Sequence, residues 1–481
     1  MNDIPDWRNL VVTLDDDGLT ALARGVDRVI ESLRSVEEGP RSNRSPDQLH
    51  ELVTGLEICP EVGIALETVL EELGSIVWAN GVVPSDPATV AHLHPPALVP
   101  AVVTELAIAA TNQSMDSWDQ APAATEVELH LMQWLANLIG LPDSGSGVMT
   151  SGGTASNVLG ITLARSWAAA KLSVDVLKSG LPPQAADWRI ICSNQAHFSV
   201  QRAAAQLGLG RDAVVTVATT SSGSMDIEAL DAMIEELSRL GLHAIAVVGT
   251  AGTTDLGALD PLTAIGERAR QHSMWFHVDA AVGGAFLLSG RLRTGLAGIE
   301  LADSVTIDFH KLWWQPFNAS ALVVRDVESF DLLRVKSNYL DRGDELEGMV
   351  NLVGRSLDTS RRFDAAKVVA SLRTLGRHAL GEMLEHLVDL ARYAATTIDA
   401  HPRLELVAHP ASVMCVFDAP GAGPDDLRRV QQHLLARGEM VLGRTSIKGR
   451  AALKFTFMNP LATTDDVDRL IAIVVKELDA N

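Results

Sequence analysis

Six short, almost unbroken apolar runs, alternating with helix-like stretches, restrict the fold of this chain more than any other feature. They occupy residues 189–192, 213–217, 244–248, 275–278, 304–307 and 321–324, and segments such as 226–240 and 261–271 between them repeat apolar residues at helical spacing. Strands without polar alternation are buried on both faces. Alternating them with helices builds a mainly parallel sheet covered on both sides. The expectation is therefore an α/β fold whose ligand crevice lies beyond the carboxyl ends of the strands.

The flanks read differently. Leu22, Val26, Ile30 and Leu33 lie at helical spacing, the Gly39-Pro40 segment breaks the chain, and a second amphipathic helix is expected over 60–73. Such a unit has no large core of its own, so it needs another part of the protein or a second subunit. A buried helix is expected over 98–110. Another is expected over 125–139, with Thr125 and Glu128 at capping-box spacing. After Asp364 a long helical stretch reaches about residue 398. Strand-like runs at 413–417 and 453–457 and helices at 424–436 and 464–478 then form a smaller α+β unit.

Charge and cysteine usage exclude several function classes. With 61 acidic against 39 basic residues the net charge is -22, which repels nucleic acid and anionic membrane surfaces. Cys59, Cys192 and Cys415 are far apart and form no CxxC pair, so neither a metal site nor a disulfide framework is expected. Met1-Asn-Asp-Ile-Pro-Asp6 has no basic region followed by an apolar core, and no apolar run approaches the roughly 20 residues that span a bilayer. We expect a cytoplasmic protein without membrane or nucleic-acid partners.

The chemistry-bearing residues stand at the ends of the apolar runs. Lys311 follows one run and precedes another, between His310 and the aromatic pair Trp313 and Trp314, with no compensating acid nearby. Alone, such a lysine reads as a snorkelling surface residue or as an amine kept neutral to attack a carbonyl. Asp279 ends the strand 275–278 and is followed by Ala280-Ala281-Val282-Gly283-Gly284, small residues that leave room for a flat ring. An acid there can keep a pyridine nitrogen protonated, or simply cap a helix. Thr150-Ser-Gly-Gly-Thr154 joins a strand to a helix, so free amides would face an anion, although a plain helix cap reads equally well. His197 follows another strand, where its ring can stack on a cofactor or satisfy a loop. Phosphate cradle, acid, then lysine is the order a pyridoxal 5'-phosphate (PLP) enzyme needs.

Taken together, Pro122-Ala-Ala-Thr-Glu126, Thr150–Thr154, His197-Phe-Ser-Val200, Gly249-Thr-Ala-Gly-Thr-Thr254, His277-Val-Asp-Ala-Ala281 and Asp308-Phe-His-Lys311 resemble the group II PLP-dependent amino-acid decarboxylases over essentially the whole chain. Ser114-Met-Asp-Ser-Trp-Asp-Gln120, Gln315-Pro316 and the segment 351–364 resemble the bacterial diaminobutyrate and lysine decarboxylase branch. The resemblance implies the PLP-dependent transferase-like fold (fold type I). It divides the chain into a helical dimerisation segment 1–95, a large PLP-binding domain 96–365 and a small C-terminal α+β domain 366–481.

It also implies roles: Lys311 bonds covalently to the cofactor aldehyde, Asp279 pairs with the ring nitrogen and His197 stacks on the ring. Gly153, Thr154 and His310 hold the phosphate, while Thr250 and Ala281 line the ring. The implied reaction is loss of carbon dioxide from an L-amino acid, a diamino acid in this branch, in a homodimer with shared sites. An aromatic-amino-acid decarboxylase, a decarboxylation-dependent aldehyde synthase and another PLP reaction stay open. Many relatives carry a loop tyrosine matching about 350–354; here the tyrosines are Tyr339 and Tyr393, and 348–355 contains neither.

Overall fold

The computed structural model describes residues 10–34, 36, 38–335 and 348–480, so Tyr339 and residues 1–9 lie outside the described residues. The chain divides into two compact units, one made of 1–92, 397–405 and 417–481, the other of 93–396 and 406–416.

The first unit begins with helices α1 (Asp16–Leu33), α2 (Pro46–Thr54) and α3 (Leu66–Ile76). Asp15 caps α1 by accepting from the Gly18 amide, and Ser45 with Gln48 forms a capping box at α2, which the sequence reading had not placed. The helix expected over 60–73 starts later, at Leu66. No residue of α1 is buried, and its Leu19, Ile30 and Leu33 are exposed. In the same unit the Val90 amide donates to Val441 O and the Thr456 amide donates to Val90 O. Residues near 90 are thus tied to the C-terminal part of the chain.

The second unit is built on a seven-stranded sheet. Helices α4 (Val99–Thr111) and α5 (Pro122–Ile139) lead into β1 (Ser146–Thr150) and α6 (Gly153–Lys171). The remaining strands are β2 (Trp188–Ser193), β3 (Val214–Val217), β4 (His243–Thr250), β5 (Trp275–Asp279), β6 (Ser304–Asp308) and β7 (Ser320–Val324). Their spatial order is β1-β7-β6-β5-β4-β2-β3. Pairings from β3 through β6 are parallel, whereas β7 runs antiparallel to both β1 and β6, so the sheet is mixed but mainly parallel. In the first unit, Gly443–Ile447 pairs with Arg450–Thr456 as an antiparallel hairpin.

Two expectations need correction. The helix over 98–110 forms as α4 but is not buried: Val99, Val102 and Val103 are 74%, 51% and 63% exposed, because only Ala101 and Ile108 face the core. Thr125 and Glu128 do not form a capping box. Pro122 starts α5 a turn earlier, since its fixed φ and missing N–H suit a first helical position, and both residues become buried.

Strand periodicity decides what faces α6. Trp275, His277 and Asp279 alternate with Phe276 and Val278, so the first three share one face of β5, as Ser304, Thr306 and Asp308 do on β6. On α6, Gly153, Asn157 and Gly160 fall at i, i+4 and i+7 and present one stripe toward those strands. Apolar packing lies farther along the same face, where Leu159 and Leu163 join Trp188, Ile190, Val248 and Trp275 in the core. A polar stripe therefore closes the carboxyl end of an otherwise apolar layer.

Candidate active site

Strand ends, the α6 N-terminus and the β6–β7 loop enclose a cavity of about 580 Å³ in the second unit. All eight residues singled out in the sequence (Gly153, Thr154, His197, Thr250, Asp279, Ala281, His310 and Lys311) line it. No side chain caps the start of α6, so its first amides and the positive end of the helix dipole are left for an anion. A Cβ added at Gly153 would stand 2.7 Å from Asp308 Oδ2, so the close approach requires glycine.

Asp308 is the residue the sequence reading missed, and it corrects the statement that Lys311 has no acid nearby. Its carboxylate, with a side chain 1% exposed, lies 2.8 Å from Lys311 Nζ, where the turn after β6 brings positions three apart together. Ser320 Oγ donates to its other oxygen at 2.6 Å. His310 stands 3.7 Å from the same carboxylate and places Nδ1 2.8 Å from Ala319 O; burial pushes its imidazole below the usual histidine range. The aromatic pair Trp313 and Trp314 belongs to the core: the two are 2% and 0% exposed, with Trp313 edge-on to Phe309 and Trp134.

Asp279 is 5% exposed and is held by two donors, Asn157 Nδ2 at 2.8 Å and the Ala281 amide at 3.1 Å. It caps no helix through its side chain. Asn157 also reaches Ser199 Oγ at 2.9 Å, and Ser199 lies 2.8 Å from His197 Nδ1. Burial lowers the His197 pKa, against the opposing pull of Asp279. Thr250 Oγ1 lines the cavity buried and without a hydrogen-bond partner, an orphan that a ligand oxygen would satisfy. A phosphate-bearing pyridine aldehyde fits this donor set: unpaired amides for the phosphate, an acid for the ring nitrogen, a free hydroxyl and a primary amine.

A second layer supports the cradle. Glu128, fully buried, accepts from the Met149 amide at 3.0 Å and from Arg361 at 2.8 Å, which fixes the end of β1 just before the Thr150–Thr154 turn. Lys367, also fully buried, donates to Glu105 at 2.6 Å and to the carbonyls of Pro316 and Asn318 at 3.1 and 3.2 Å. Among the described residues no cluster of three or more His, Cys, Asp or Glu side chains is arranged to hold a metal, and no helix is long and apolar enough to cross a membrane.

Comparison with known proteins agrees with this geometry. Residues 56–419 match the pyridoxal-dependent decarboxylase conserved domain. The chain is 39% identical over 430 residues to an L-2,4-diaminobutyrate decarboxylase of Acinetobacter baumannii, covering 86% of this chain and 84% of that one. It is 37% identical over 457 residues to the L-2,4-diaminobutyrate decarboxylase of Rhizobium meliloti, covering 94% and 90%. Among solved structures, the glutamate decarboxylase domain of the diaminobutyrate-pyruvate transaminase and L-2,4-diaminobutyrate decarboxylase from Vibrio parahaemolyticus superposes with a TM-score of 0.91 at 36% identity, over 99% of both chains. A fold type I architecture, a cavity suited to PLP and relatives of this similarity lead to one conclusion: the chain belongs to the pyridoxal-dependent decarboxylase family and is a PLP-dependent amino-acid carboxy-lyase.

Proposed function

We propose that this enzyme decarboxylates a short L-diamino acid, with 2,4-diaminobutyrate as the first candidate, to the corresponding diamine and carbon dioxide. The observation that carries the substrate class is Asp358. Three carboxylates line the 580 Å³ cavity: Asp279, Asp308 and Asp358. The first is engaged by Asn157 and the second by Lys311 and Ser320, whereas Asp358 is exposed at the cavity and its backbone, not its carboxylate, bonds to Ser356. It also borders the adjoining 230 Å³ pocket. An anionic group so placed suits the distal ammonium of a diamino acid and disfavours an acidic side chain.

PLP supplies the electron sink for the pair released when the α-carboxylate departs. The chain's own residues do the rest in this reading. Lys311 is the amine that anchors the cofactor. Gly153 and Thr154, at the α6 N-terminus, hold the phosphate with His310, and Thr250 and Ala281 shape the ring slot. Asp279 keeps a proton on the ring nitrogen. His197 covers the ring face and offers Nε2 to the substrate carboxylate. The family tyrosine on a mobile loop has no counterpart in 348–355, and Tyr339 lies outside the described residues.

The same reading makes the enzyme a cytoplasmic homodimer, with residues 1–95 as its dimerisation segment beside a PLP-binding domain of 96–365 and a C-terminal domain of 366–481. Exposed Leu19, Ile30 and Leu33 on α1 and Val99, Val102 and Val103 on α4 supply the apolar surface such an assembly would cover. A decarboxylation screen over diamino, aromatic and acidic amino acids tests the substrate class. Asp358→Asn should raise KM for 2,4-diaminobutyrate by about two- to fivefold, the effect of one lost exposed charge contact, with kcat little changed. Preferential turnover of an aromatic or acidic amino acid refutes the diamino-acid reading.

A further inference from the structure

The polar side chains behind Asp279 form a hydrogen-bond chain whose direction can be worked out atom by atom. At one end, the Trp275 indole only donates, and it reaches Ser304 Oγ at 2.8 Å. At the other end stands Asp279, an acceptor when ionised. Asn157 Nδ2 must therefore face it at 2.8 Å, because a flipped amide would set oxygen against oxygen.

The remaining protons follow. With Nδ2 on Asp279 and Ser199, Asn157 Oδ1 takes two donors, Thr306 Oγ1 at 2.8 Å and His277 Nε2 at 2.9 Å. His277 thus carries its proton on Nε2, and its Nδ1 accepts from Ser304 Oγ at 2.8 Å. His197 Nδ1 accepts from the Ser199 amide at 3.3 Å, so it carries no proton; Ser199 Oγ, which accepts from Asn157, therefore donates to it at 2.8 Å and the proton of His197 sits on Nε2. Every member has a partner and every proton a single direction. Fully satisfied buried networks of this kind rigidify what they hold.

We propose that His277 and Asn157 are positioning residues of the decarboxylation site: His277 orients the Asn157 amide, which in turn aligns the Asp279 carboxylate with the cofactor ring nitrogen and sets the tautomer of His197. This rests on the reading of Asp279 and Lys311 given above. His277 is fully buried, and burial pushes its pKa down to about 4, which keeps the ring neutral as this bonding pattern requires. Its seat is specific. A Cβ at Gly160 would stand 2.6 Å from His277 Cε1, so the imidazole lies directly on the α6 backbone and no larger residue fits beneath it.

The test uses holoenzyme reconstituted with PLP carrying 15N in the ring. Cofactor release rate and the ring-nitrogen chemical shift are measured alongside thermal unfolding of the apoprotein. His277→Leu and Asn157→Leu should speed cofactor loss by about ten- to a hundredfold, the effect of one charge-assisted hydrogen bond, and move the nitrogen shift toward the unprotonated value. His277→Gln, whose amide N–H reaches the position of Nε2, should restore most of both readouts. Gly160→Ala should reproduce the loss with every polar group still present.

Wild-type release and nitrogen shift in His277→Leu and Gly160→Ala would overturn the proposal. So would an equal loss in His277→Gln with apoprotein unfolding unchanged. If His277→Leu does not fold, Gly160→Ala and Asn157→Leu decide alone by the same criteria. Failure of the underlying site reading is separate: it appears in the wild type, as borohydride labelling that misses Lys311.

Discussion

Replacing Lys367 by methionine keeps the helical stem and removes only the ammonium, so it isolates a buried charge that no sequence pattern announces. Lys367 is 0% exposed; its three N–H groups donate to Glu105 at 2.6 Å and to the carbonyls of Pro316 and Asn318 at 3.1 and 3.2 Å, and Asp364 pairs with the same ammonium at 3.0 Å. Breaking a buried pair by removing one partner costs about 3–5 kcal/mol, because the other charge stays buried without compensation. Arg362 still pairs with Glu105 and lies 3.4 Å from Asp364, which places the expected loss near the low end, about 3 kcal/mol. For a chain this long the unfolding entropy is on the order of 1 kcal/mol per degree, so Tm should fall by about 3 °C.

The pH dependence has a definite sign. Burial raises the Asp364 pKa above 3.8 against the opposing pull of Lys367. For Glu105 burial also raises, but Arg362 and Lys367 outweigh it and the net shift is below 4.5. Without Lys367 both carboxyls titrate higher in the folded state, so the folded variant binds more protons than the wild type in the acid range. The deficit is then full at neutral pH and shrinks as pH falls through the carboxylate range. Urea unfolding of both proteins at pH 7 and pH 5 measures this. A loss below about 1 kcal/mol at pH 7, or a deficit that grows on acidification, refutes the reasoning.

Other perturbations have defined outcomes. Arg361→Leu leaves the fully buried Glu128 facing only the Met149 amide and should cost about 3–5 kcal/mol in urea unfolding, with Glu128→Gln in the same background recovering part of it. Gly153→Ala forces a methyl within 2.7 Å of Asp308 Oδ2 and should destabilise the apoprotein by about 1–3 kcal/mol while weakening PLP retention in equilibrium dialysis. Asp358→Asn should separate KM from kcat for a diamino acid, as set out above.

Much of the large sheet was legible because its strands are buried on both faces and so read as apolar runs; each of the six matches an observed strand to within two residues at either end. Strand order was not legible, since nothing local says that β7 inserts between β1 and β6. The residues at strand ends could be picked out because glycine-rich turns, acids and lysines are conspicuous after apolar runs. Their supporting partners could not. Asn157 and His277 sit inside a helix and a strand, where side-chain period alone indicates that they meet, and Asp308 was read as part of a motif rather than as the acid three positions before Lys311. Besides Asp364 three positions before it, Lys367 contacts two distant segments, at Glu105 and at Pro316 and Asn318, so no local spacing reveals its role. The exposed face of α4 was misread because an apolar helix with an uncovered face looks the same in sequence as one set in a core.

Reduction of the PLP-loaded protein with borohydride, followed by mass analysis of its peptides, bears most directly on the proposed anchoring amine. The phosphopyridoxyl mass should appear on Lys311 and on no other lysine. A label on a different lysine, or a cofactor that washes out unreduced, would contradict the account.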